Sequence, residues 1–71
     1  MENHELKVGD RVFCDASGPL PELAGHVLEI MKGEMPWYPT SVGVEFAEPV
    51  EIPGGLVSGA SYFLVNVHKV H

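Results

Sequence analysis

A single cysteine, Cys14, stands in the 71-residue sequence. One thiol cannot close an intrachain bridge, so the disulfide staple common in very small domains is excluded and a reducing compartment is the expected setting. Cations are also scarce. Four Lys+Arg against ten Asp+Glu leave a formal charge of −6, without the basic footprint that direct DNA or RNA binding requires. The four are Lys7, Arg11, Lys32 and Lys69, so residues 33–68 carry Glu34, Glu45, Glu48 and Glu51 and no cation at all. Long apolar runs are missing: nothing approaches the ~20 residues that cross a bilayer, and the acidic start Met1-Glu2-Asn3-His4-Glu5 is the reverse of a signal peptide's basic head. A cytoplasmic protein with no direct nucleic-acid or membrane partner is expected. No fixed period repeats, and no segment is low in complexity.

What is present reads as one small globular unit. Hydrophobic residues make up 45% and charged residues 20%, too apolar a balance for disorder. The expected organisation is a flexible polar lead over residues 1–7 and a single domain over 8–71. A chain this short buries only about 60% of its unfolded surface, so a thin core is expected.

Eight glycines and six prolines break short runs of Val, Ile, Leu and Phe, the spacing of strands joined by turns. In Arg11-Val12-Phe13-Cys14, alternation places Val12 and Cys14 on one face and Arg11 and Phe13 on the other. Ser17-Gly18-Pro19-Leu20-Pro21 reads as a loop, since two prolines remove ladder donors. Gly25 to Lys32 is read as a strand, with a pattern that also fits about two helical turns. Gly33 to Thr40, with Pro36 and Pro39 around Trp37 and Tyr38, is a long loop bearing two aromatics. Val42, Val44 and Phe46 alternate with Gly43 and Glu45 as a half-buried strand. Pro49 to Gly55 reads as another loop. In the final run Tyr62 to Val67, the inward set is either Tyr62, Leu64 and Asn66 or the more apolar Phe63, Val65 and Val67. About five short antiparallel strands with no helical layer predict an all-β fold, a small SH3-like barrel whose closure removes exposed edges.

Two stretches at matching distance, Val42-Gly43-Val44-Glu45-Phe46-Ala47-Glu48-Pro49-Val50 and Gly55-Leu56-Val57-Ser58-Gly59-Ala60-Ser61-Tyr62-Phe63, resemble the CAP-Gly domain. Val8-Gly9-Asp10-Arg11-Val12 looks like that family's opening strand, Gly25-His26-Val27 its second and Val67-His68-Lys69-Val70 its last. The resemblance implies an SH3-like module that binds peptide tails. In the family, a Gly-Lys-Asn-Asp-Gly loop holds acidic, aromatic-ended C-termini. The aligned residues here are Glu51-Ile52-Pro53-Gly54-Gly55, which replace the lysine with Ile52 and add a carboxylate. An acidic ligand would be repelled there, so a neutral or basic peptide or protein partner is expected.

The expected partner surface is a groove between the Trp37 loop and the Glu51–Gly55 loop, formed by Trp37, Tyr38, Glu51, Ile52, Gly54, Gly55 and Tyr62. Aromatic anchors within a charged rim are what protein interfaces use; Trp37 is equally read as a cap on the barrel end. The alternative function is an acidic accessory subunit or inhibitor that occupies a partner's basic, nucleic-acid-binding groove. No cofactor or metal is expected. His68 and His71 are an odd number of residues apart, which on a strand sends them to opposite faces, and no Cys-x-x-Cys accompanies them. Cys14 beside Asp15 reads as a buried structural thiol, because a neighbouring carboxylate raises a thiol pKa. No catalytic role is expected, and the sequence specifies no oligomeric state.

Overall fold

The computed structural model describes residues 6–33 and 39–70. They form β1 (Arg11–Cys14), β2 (Leu23–Met31), β3 (Ser41–Ile52), β4 (Gly55–Phe63), a 3-10 turn (Leu64–Asn66) and β5 (Val67–Lys69). All five strands lie in one antiparallel sheet ordered β4-β3-β2-β1-β5.

The two edge strands of this sheet are neighbours in sequence. Phe63 ends β4 and Val67 starts β5, so four residue steps, at most ~14 Å of chain, connect the two edges. Laid flat, five strands would set those edges about 19 Å apart. The sheet therefore curls on itself, giving the small all-β, SH3-like barrel. It stays open between β4 and β5, which do not pair with each other among the described residues. The three residues of β5 pair only with β1, Val67 opposite Cys14 and Lys69 opposite Val12, and the 3-10 turn takes up the rest of the connection.

Alternation in β1 is as expected, with Val12 and Cys14 buried and Arg11 and Phe13 exposed. In β2 the register shifts between Val27 and Glu29, so Leu28 is a bulge. The extra residue puts buried Val27 and half-buried Ile30 on the core side although they are three apart. Strict alternation, which would set His26, Leu28 and Ile30 on one side and Val27, Glu29 and Met31 on the other, therefore does not hold across the bulge. Val42, Val44 and Phe46 point inward from β3.

Two sequence expectations need correction. Pro49 to Gly55 is not a loop: β3 runs to Ile52, Val50 pairs with Val57, Ile52 pairs with Gly55, and the turn is only Pro53-Gly54. Half-buried Val50 and Val57 pack against the core and extend the ladder. Pro49 is tolerated because it lies in the irregular stretch between Glu45 and Val50, where pairing slips. Of the two inward sets expected for Tyr62 to Val67, the less apolar one is the closer, with Tyr62 buried, Leu64 packed against the core and Asn66 half-buried; of the other set only Val67 turns inward. Tyr62 and Val67 are buried while Phe63 and Val65 are exposed, because the 3-10 turn resets the alternation between the two strands.

Valine dominates the core: Val12, Val27, Val42, Val44 and Val67 are each almost fully buried, with Cys14, Phe46, Tyr62 and Leu6. Branched residues suit a pleated, curled sheet. The Phe46 and Tyr62 rings meet edge to face at 6.5 Å. Leu6, assigned by sequence to the lead, belongs to this core. Glycines allow the curl at β3. A Cβ on Gly25 would run into the Glu45 carbonyl oxygen, and one on Gly59 would come within 2.8 Å of the Val44 carbonyl oxygen.

Candidate functional site

β3 is twelve residues long, and its two ends serve different surroundings. At the far end is the hairpin tip. Glu51, Ile52, Gly54 and Gly55 come together there, with Glu51, Gly54 and Gly55 exposed and Ile52 half-buried. Gly55 adopts φ 129 with open space around its Cα, so a backbone requirement fixes this glycine. At the near end, Ser41 pairs with Met31 of β2 and Phe63 of β4. Trp37 and Tyr38 lie outside the described residues; the chain flanking them, Gly33 and Pro39, leaves from this near end. The residues on the two sides of the expected groove are thus attached to opposite ends of β3. Tyr62 differs from a groove residue in that its side chain is 4% exposed and sits in the core.

A different set of residues converges at the near end. The β1–β2 loop closes on itself through reciprocal Ser17 and Leu20 backbone bonds of 2.9 Å. The Asp15 amide donates to the Asn66 carbonyl, and the Leu64 amide to the Thr40 carbonyl. These ties gather Ser17, Ser41, Ser61, Tyr62, Phe63 and Asn66 around a cleft of about 250 Å³. Sequence reading identified Tyr62 alone among them. Isolated serines and an asparagine carry no pattern; Asn66 reaches this cleft from the 3-10 turn, its carbonyl accepting from the Asp15 amide.

A second, shallower groove of about 380 Å³ lies on the outer face, lined by Leu28, Glu29, Gly43, Val44, Gly59, Ala60 and Ser61. Two of these lining residues, Gly43 and Gly59, carry no side chain. Charge is divided across the sheet: exposed Glu45, Glu48 and Glu51 line β3, whereas Arg11 and Lys69 sit on β1 and β5. Lys69 lies 3.6 Å from Asp10. β4 bears no charged residue and exposes Leu56 and Phe63.

Other reactive groups are engaged locally. Cys14 is fully buried, and burial first, then Asp15, pushes its thiol up to about 11. A thiol so protonated is a poor nucleophile at neutral pH. Burial, and secondarily Cys14, also raises the Tyr62 phenol. Its hydroxyl has no hydrogen-bond partner among the described residues. His26 Nε2 lies 3.2 Å from Glu45 Oε1, and His68 Nε2 3.0 Å from Asp15 Oδ1. His4 and His71 lie outside the described residues. Among the described residues no three His, Cys, Asp or Glu side chains group as metal ligands, and no helix is long and apolar enough to cross a membrane.

Compared with protein-family models, curated proteins and solved structures, the chain matches none.

Proposed function

We propose that the chain is a non-catalytic protein-interaction module, CAP-Gly-like in its strand spacing, that binds a neutral or basic peptide or protein segment. The observation that supports this most is the juxtaposition of charge-free β4, exposing Leu56 and Phe63, with exposed Glu45, Glu48 and Glu51 on β3 and no cation between Lys32 and Lys69. Apolar contact surface beside a one-signed rim favours oppositely charged partners and repels acidic ones. The near-end cleft, at whose rim Phe63 is exposed, adds an aromatic contact at the end of β4. The experiment is a series of peptides of equal length and apolar content with net charge stepped from acidic to basic. Affinity rising with positive charge supports the reading; affinity independent of charge, or favouring acidic peptides, contradicts it.

The exposed carboxylates of β3 also support a second reading, an acidic accessory subunit or inhibitor that fills a partner's basic groove. Binding that depends on those charges alone disappears steeply with added salt, whereas binding that includes Leu56 and Phe63 persists in part.

A further inference from the structure

Among the described residues, the outer edge of β4 is the longer of the two sheet edges that no strand covers. β4 is nine residues long, its inner edge pairs with β3, and no strand covers its outer edge among the described residues. Edge strands that must remain single are ordinarily short, or carry lysine, proline or a bulge on the strand itself. Gly55-Leu56-Val57-Ser58-Gly59-Ala60-Ser61-Tyr62-Phe63 has no charge and no proline, and the slip in the ladder falls on β3's side, where four residues oppose Ser58 alone. The other edge is unlike it. β5 has three residues, one of them Lys69.

Resting on the interaction-module reading, we propose that β4 accepts a further strand: an extended peptide from another protein that bears lysine or arginine at alternate positions and pairs its backbone with residues 55–63. Charge selects the occupant. Beyond β4 lie Glu45, Glu48 and Glu51 on β3, with Glu29 on β2 lining the outer-face groove. Gly59 stands opposite Glu45 and has no side chain to block the approach of an added strand's side chain towards that carboxylate, which lies 3.2 Å from His26 Nε2 of β2. Two strand spacings, about 10 Å, separate the added backbone from that of Glu45, a span a lysine and a glutamate turned towards it can bridge together. Pairing in this way supplies affinity through main-chain bonds and selectivity through alternate side chains. A second copy of the chain, itself −6, presents no cation along its own β4 to meet these carboxylates.

The test titrates the full chain with a peptide of alternating lysine and valine as long as β4, and with two versions N-methylated at every second residue in opposite phases. N-methylation removes main-chain donors on one side of the peptide and leaves the protein untouched. Added-strand binding predicts that one phase weakens affinity about tenfold or more while the other has little effect. It also predicts several-fold weakening by Ser61→Lys, an exposed position on β4, with folding checked by circular dichroism. Equal sensitivity or none in both phases overturns pairing at β4. If basic peptides of the charge series bind and the alternating peptide does not, this proposal fails and the module reading stands. If no basic peptide binds, both fail. Self-association through β4 that the peptide does not displace also overturns the proposal.

Discussion

Gly59 of β4 stands directly opposite Glu45 of β3, so close that a side chain added at Gly59 would meet the Val44 carbonyl oxygen at 2.8 Å. Gly25 presses on the same two residues from β2. β3 is thus gripped from both sides at the point where the sheet turns. Ala at Gly25 meets backbone, which cannot swing aside, and Gly25→Ala is expected to lower unfolding free energy by about 1–3 kcal/mol or more. Gly59→Ala follows in the same direction. Urea denaturation measures both, and unchanged midpoints would show that the sheet has slack at this corner.

Gly55 makes a contrasting prediction. The space around it is open, and only its φ of 129 excludes other residues. Gly55→Ala should cost about 1–3 kcal/mol through backbone strain, with the loss confined to the hairpin tip. Hydrogen exchange should quicken there before it does at Val42 or Val44.

The buried Tyr62 hydroxyl has no partner among the described residues. Removing such a group relieves a desolvation cost, so Tyr62→Phe should keep full stability or gain about 1 kcal/mol. Thermal or urea unfolding decides; a clear loss would reveal a hydrogen bond at that hydroxyl.

Cys14 and Tyr62 set an alkaline limit. The folded thiol, at about 11, lies above its ordinary value of 9.0. Between those values the unfolded chain releases a proton that the folded chain retains, so stability is intact below pH 9 and falls as pH rises towards 11. Raised for the same reason, the Tyr62 phenol adds to the fall above its ordinary 10.0. Cys14→Ala should flatten the onset of that decline, read from urea midpoints across pH. Thiol-reactive reagents should modify native Cys14 far more slowly than the unfolded protein at the same pH.

Legibility in the sequence followed regularity. Arg11 to Cys14 and Val42 to Phe46 alternate strictly, and their inward residues could be read directly. Where the period is interrupted, reading failed or wavered: the Leu28 bulge puts Val27 and Ile30 on one side of β2, and the three-residue 3-10 turn at Leu64–Asn66 allows Tyr62 and Val67 both to be buried. Pro49 suggested a loop because its effect on the ladder is absorbed by a slip that only strand pairing reveals. Of the expected partner-binding residues, Glu51, Ile52, Gly54 and Gly55 do cluster, since a two-residue turn forces them together. Tyr62 is a core residue that lines a cleft. Serines and Asn66 at that cleft had no signature, because a local loop closure, the 3-10 turn and long-range backbone bonds together assemble them.

The division of charge between β3 and the β1–β5 side is the feature on which the functional account depends. Its most direct test is the change in backbone amide chemical shifts of the isotope-labelled full chain as the alternating lysine-valine peptide is added. The largest changes are expected along Gly55–Phe63, with β5 from Val67 to Lys69 little affected. Changes centred on β5 and Arg11, with β4 silent, would contradict that expectation.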